Sequence, residues 1–154
     1  MDKTNVMRLL DAKKIAYNHY TYPNTLLDGV SVADHLKQDY SKVFKTLVTI
    51  SNNVCYVFVI PVNKTLDLKK SAKAVHVKSV DMLPQKELLL RTGYIHGGCS
   101  PIGMKKSYKT VVDISAKEYE SIIFSAGKIG YQVEVNPDDL SKIISVEFSD
   151  IVVD

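Results

Sequence analysis

The chain has 154 residues, 45% hydrophobic and 24% charged, the balance of an ordinary globular protein with a single core. No apolar run approaches the roughly 18 residues that would span a bilayer, the polar start Met1-Asp2-Lys3-Thr4 carries no leader signal, and two cysteines are too few for a disulfide scaffold. The net charge is only +3, yet residues 42–109 hold twelve Lys or Arg against Asp67, Asp81 and Glu87, a local +9 that leaves −6 on the rest.

Such polarity produces either a basic face that attracts phosphates or a lysine-rich solvated surface. Cys55 falls in an apolar run and is expected to be buried, and a reducing cytoplasm is the expected compartment.

In chain order, Val6, Leu9, Leu10 and Lys13 recur at helical spacing and predict a helix over 2–14. A tyrosine-rich strand over 15–22 follows, then a loop over 23–29. Ser31 with Asp34 resembles a capping box for a short helix ending near Lys37. Two apolar runs, 43–51 and 54–62, flank Asn52-Asn53, a pair that tolerates the left-handed backbone of a tight hairpin. Asp67 is placed to cap a lysine-rich helix over 67–75, and 77–80 reads as a short strand. Pro84 to Arg91 reads as a helix ended by Gly93. Strands are predicted over 110–114, 121–125 and 131–135, a helix over 136–144, and a closing strand near 145–152. Helices and strands interleave without βαβ regularity, which favours an α/β (α+β) domain with a mixed sheet curled around its core and helices outside.

Six of the seven glycines lie between 93 and 130, four of them in Gly93-Tyr-Ile-His-Gly97-Gly98-Cys-Ser-Pro-Ile-Gly103. Such a loop can aim several N–H groups at one anion or carbonyl oxygen, and Lys105 and Lys106 follow directly. It is neither a Walker A motif nor a dinucleotide fingerprint. Lys45 is a charge inside a strand-like run. Alternation puts it on one face with Leu47 and Thr49, so it either lines a cleft or reaches water from the strand's end. His19, His35, His76 and His96 are scattered and form no metal site, and no Ser-His-Asp arrangement can be traced. Cys99 is either a small loop residue or a thiolate activated by nearby cations.

Phe44-Lys45-Thr46-Leu47, Leu66-Asp67-Leu68-Lys69-Lys70, Thr92-Gly93-Tyr94 through Gly97-Gly98-Cys99-Ser100-Pro101-Ile102-Gly103-Met104-Lys105-Lys106, and Ser125-Ala126-Gly127-Lys128 stand in the order seen in the YbaK/EbsC family. Lys3-Thr4-Asn5 and Lys14-Ile15-Ala16-Tyr17 extend the resemblance to essentially the whole chain, and the motif from Thr92 to Lys106 is long enough to be specific.

The resemblance implies one editing domain over 1–154, a mixed barrel-like sheet flanked by helices, related to the editing insertion of bacterial prolyl-tRNA synthetases. It implies deacylation of mischarged tRNA, with Cys-tRNA(Pro) as the characteristic substrate, no cofactor or metal, and a transient complex with prolyl-tRNA synthetase. Lys45 takes the position of the family's essential lysine. Tyr22, Phe44, Thr46, Gly97, Gly98, Cys99, Ser100, Gly103, Ser125 and Gly127 are expected to form the substrate pocket, and Lys69, Lys70, Lys73, Lys105 and Lys106 to meet the tRNA. The family's use of the substrate's own cysteine thiol as nucleophile accounts for the missing triad. The rival readings are a water-using editing hydrolase for Ala-tRNA(Pro) or another small aminoacyl ester, and a non-catalytic tRNA- or synthetase-binding module. Cys99, Ala126 and Gln132 depart from the isoleucine, glycine and aspartate common in relatives, and Ile129 replaces an arginine.

Overall fold

The computed structural model describes residues 2–154. Helix α1 (Asn5–Ala12) starts where Thr4 accepts a hydrogen bond from the Met7 amide at 3.3 Å, and it buries Val6, Met7 and Leu10. Strand β1 (Asn18–Thr21) is shorter than the tyrosine-rich run suggests. Helix α2 (Gly29–Leu36) begins earlier than expected. Its cap is Asp28, whose carboxylate accepts from the Ser31 amide and hydroxyl at 2.9 and 2.8 Å, so Ser31 is a first-turn residue rather than the cap.

The hairpin is as predicted. β2 (Phe44–Ser51) and β3 (Val54–Pro61) pair antiparallel around Asn52 and Asn53, both in the left-handed region at φ 48° and 65°. Asp67 caps α3 (Leu68–Ala74) through the amides of Lys69 and Lys70. The strand expected at 77–80 falls instead on β4 (Asp81–Met82), which pairs with Thr49 and Ile50 only. A 3-10 turn (Gln85–Glu87) leads into α4 (Leu88–Thr92), closed by Gly93. β5 (Thr110–Asp113), β6 (Ile122–Ser125), β7 (Tyr131–Val135) and β8 (Val146–Ser149) lie within the expected windows. The helix expected over 136–144 is a 3-10 segment, Pro137–Lys142, capped by Asn136.

The strands form two sheets, β1-β7-β6 and β4-β2-β3-β5-β8, and within these sheets β3–β5 and β5–β8 pair in parallel while the other neighbours are antiparallel. They meet at one corner, where Val43 bridges Ile123 in parallel and the Lys42 carbonyl accepts from the Ile123 amide at 3.0 Å. The result is two sheets joined at one corner rather than a closed barrel. One face holds the main core, in which α1 clusters with Val57, Val59, Val112, Phe124 and Val133. The opposite face is covered twice. α3 packs on Phe58, Ile60 and Val111, and α2 packs on Val43, Val62 and Ile123.

Candidate active site

The seam between the sheets positions the site. Directly opposed residues on adjacent strands share a face. Tyr20 opposes Gln132 and Ser125 opposes Gln132, so these three form a row across β1, β7 and β6. The Val43–Ile123 bridge carries the row onto β2, where the two-residue period puts Lys45 on the same face as Val43. Beyond the bridge β2 and β6 part. A cavity of about 310 Å³ opens there, at the first turn of α2, a volume at the small end of ligand sites.

Tyr22, Phe44, Lys45, Thr46, Gly97, Cys99 and Ser125, distant in sequence, all line this cavity. Gly98 and Gly127 instead line a neighbouring recess with Tyr94, Lys128 and Ile129. Ser100 is fully buried, its hydroxyl accepting from the Ile102 amide, and Gly103 packs against the Tyr94 hydroxyl; neither lines the cavity. Lys69, Lys73, Lys105 and Lys106 are exposed and outside it. The Lys70 ammonium is already occupied by Asp150 at 3.0 Å, Asp154 at 2.8 Å and the Val152 carbonyl, and so ties α3 to the end of the chain.

Asp28, Gly29, Leu88 and His96 also line the cavity and were not expected to form it, and Gln132, one of the departures from the family pattern, lies on its wall as well. The first two were read as loop residues, and His96 as one more scattered histidine, although its place beside Gly97 was a usable signal. Of the four departures from the family pattern, Cys99 and Gln132 face the cavity, Ile129 faces the recess, and Ala126 is buried in the core.

The cavity is lined mainly by apolar side chains, among which a few polar groups carry the electrostatics. Lys45 is half-buried with no carboxylate partner among the described residues, and burial lowers its pKa below that of an ordinary lysine. Asp28, the one carboxylate on the wall, is engaged in capping α2. Burial pushes the Cys99 thiol up to about 12, which weighs against an activated thiolate there. Ser125 accepts from the Gly127 amide at 3.1 Å.

Gly97 adopts φ 88°, and a Cβ there would stand 3.3 Å from the Leu27 side chain, so glycine lets the loop press against the 24–30 segment. The Gly98 amide is used by the Ile95 carbonyl at 3.0 Å, whereas among the described residues the amides of Gly97 and Cys99 donate to no protein acceptor. No group of three His, Cys, Asp or Glu side chains suited to a metal occurs among the described residues, and no helix there is long and apolar enough to cross a membrane.

Comparison with known proteins agrees with this architecture. The aminoacyl-tRNA editing domain family matches residues 28–143. The chain is 45% identical over 152 residues, 97% of its length and 93% of the relative's, to EbsC of Enterococcus faecalis (strain ATCC 700802 / V583), a candidate Cys-tRNA(Pro)/Cys-tRNA(Cys) deacylase. Two solved structures share the fold at low identity. A candidate trans-editing enzyme for prolyl-tRNA synthetase has a TM-score of 0.84 at 17% identity, over 99% of this chain and 100% of that one. The hypothetical protein APE2540 has a TM-score of 0.89 at 21% identity, over 97% and 100%. With the editing-domain match covering every residue that lines the cavity except Tyr22 and Leu27, and a relative this similar along nearly its whole length, the chain belongs to the aminoacyl-tRNA editing domain family.

Proposed function

We propose that the chain is a trans-editing deacylase that removes cysteine from mischarged Cys-tRNA(Pro), and also from Cys-tRNA(Cys), by letting the substrate's thiol attack its own ester. The observation that carries this reading is the unpaired, half-buried Lys45 ammonium in a cavity whose only thiol is held protonated by burial. Such a site offers charge stabilisation without an evident protein nucleophile.

In the proposed step the cysteine Sγ bonds to the ester carbonyl carbon and the carbon–oxygen bond to the ribose breaks. The thiol proton ends on the departing ribose hydroxyl, and a cyclic thiolactone leaves. No water is consumed. Lys45 holds the ribose oxygens or terminal phosphate and stabilises the developing alkoxide, while the free amides of Gly97 and Cys99 face the carbonyl oxygen. Proximity favours the intramolecular attack by up to roughly 7–11 kcal/mol. Lys69, Lys73, Lys105 and Lys106 supply phosphate contacts, and a transient complex with prolyl-tRNA synthetase supplies tRNA identity.

One feature favours a second reading. His96 lines the cavity and could activate water, which would make the protein a hydrolase for alanyl or other small esters. Single-turnover deacylation of Cys-tRNA(Pro) and Ala-tRNA(Pro) separates the two. The proposal expects loss of cysteine only, reduced about 100-fold or more by Lys45→Ala. Comparable cleavage of the alanyl ester would replace thiol attack with water attack. Salt-dependent tRNA binding without cleavage of either ester would leave a binding module.

A further inference from the structure

Among the described residues only two buried side-chain polar atoms lack a hydrogen-bond partner, Thr46 Oγ1 and Gln132 Oε1, and both residues line the same cavity. Gln132 is 6% exposed and sits on the central strand of the smaller sheet, opposite Tyr20 on one side and Ser125 on the other. A buried carbonyl oxygen with no donor is costly, and native structures rarely keep one without a role. Gln132 lies on the cavity wall, where a donor brought in by a ligand would complete it.

The chemistry of that donor follows from the rest of the wall. An amide oxygen only accepts. Lys45 only donates, so phosphate, carbonyl and developing alkoxide oxygens belong at its end. The Asp28 carboxylate is committed to the Ser31 amide and hydroxyl. A ligand that meets both residues therefore offers oxygens to Lys45 and a hydrogen-bond donor to Gln132. In an aminoacyl ester the group bearing strong donors is the α-ammonium.

We propose that Gln132 is the specificity residue that reads the α-ammonium of the aminoacyl group, its Oε1 accepting one of the ammonium protons. The ligand assignment rests on the deacylase reading above. A neutral acceptor recognises the amine without forming a buried ion pair, and Lys45 keeps an ammonium with no salt-bridge partner among the described residues. The subsite rejects acyl groups that lack the amine even when they carry a thiol and an identical ester.

The test pairs a cysteinyl group with 3-mercaptopropionyl, which retains the thiol and lacks the amine. Binding is measured by calorimetry with two uncleavable probes, 3′-cysteinylamino-3′-deoxyadenosine and its 3-mercaptopropionyl counterpart. Single-turnover cleavage is measured with the two corresponding tRNA(Pro) esters. Wild-type protein is expected to bind the amine-bearing probe about tenfold or more tightly. Gln132→Met, which keeps the length and loses the acceptor, should bind both probes alike, at the level wild type shows for the deaminated one. Gln132→Glu, which keeps an acceptor, should retain or increase the preference.

Equal binding of the two probes by wild type overturns the proposal whatever the variants do. Equal weakening of both probes in Gln132→Met, as for a contact to ribose, also overturns it. The two readings fail separately. Amine-dependent binding through Gln132 without ester cleavage keeps the subsite and removes the deacylase. Cleavage of the cysteinyl ester with undiminished discrimination in Gln132→Met keeps the deacylase and removes the subsite.

Discussion

At Lys45 the fold holds a charge half out of water, on a face it shares with Leu47 and Ile60, with no acid to neutralise it. Burial lowers its pKa, which means that the charged form is less comfortable in the folded chain than in the unfolded one. The linkage has a definite sign. A lysine whose folded pKa lies below its unfolded value opposes folding at neutral pH, and the opposition disappears as pH rises above the unfolded value. Lys45→Met should therefore leave stability in urea unchanged or higher at pH 7, while single-turnover deacylation falls about 100-fold or more. A clear loss of stability would mean that the ammonium has a favourable partner in the fold. Isotope-detected titration of the Lys45 side chain should show its midpoint below 10.5.

At the scale of elements, α2 decides the shape of the site, and one glycine decides where α2 sits. A Cβ on Gly29 would stand 2.3 Å from Val62 Cγ1 and 2.9 Å from Val62 Cβ, at the end of β3. Gly29→Ala should push the first turn off the sheet and carry Asp28, Val30 and Val32 with it. The expected loss is about 1–3 kcal/mol in urea unfolding, as for other overpacked sites, with deacylation falling too. Adding Val62→Ala should recover part of that stability, because it removes the clashing methyls. A double variant as unstable as the sum of the two single changes would show that Gly29 acts by some other route.

These elements also show how far the residues alone could be read. The hairpin was legible because Asn52-Asn53 is a local turn signal between two apolar runs, and α3 because Asp67 caps it within three residues. The start of α2 was misplaced because Asp28 and Ser31 are both good caps, and only the packed helix shows which one accepts. Val80 is buried under α3's side of the sheet, yet its segment pairs with nothing until Asp81. Periodicity reports burial there and is silent on pairing. The convergence of Ser125, Gln132 and Lys45 depends on a single bridge between residues 80 apart, Val43 and Ile123, to which no local pattern points.

Across the whole molecule, that bridge is reinforced by one buried carboxylate. Glu134 on β7 accepts hydrogen bonds from Tyr20 on β1 and from Ser121 just before β6, and pairs with Lys42 at 2.8 Å just before β2. Burial pushes its pKa upward, but the bonds from Lys42, Ser121 and Tyr20 together outweigh burial and hold it at about 2. The same contact raises the Tyr20 hydroxyl to about 12, mainly through its hydrogen bond to Glu134. A carboxylate with a depressed folded pKa stabilises fully above its unfolded value of 4.5, and that contribution is lost as pH falls toward 2. Glu134→Gln should therefore cost on the order of 3 kcal/mol at pH 7, the range for breaking a buried pair. The gap between wild type and variant in urea unfolding should hold down to about pH 5 and then narrow steadily toward pH 2.5. A gap that persists unchanged through that interval would mean that Glu134 joins the sheets by packing and neutral hydrogen bonds rather than by its charge. If instead the gap closes, the junction that frames the candidate cavity should loosen first in acid, and hydrogen exchange at Phe44, Ile123 and Ser125 should accelerate before exchange in the β3–β5 pair.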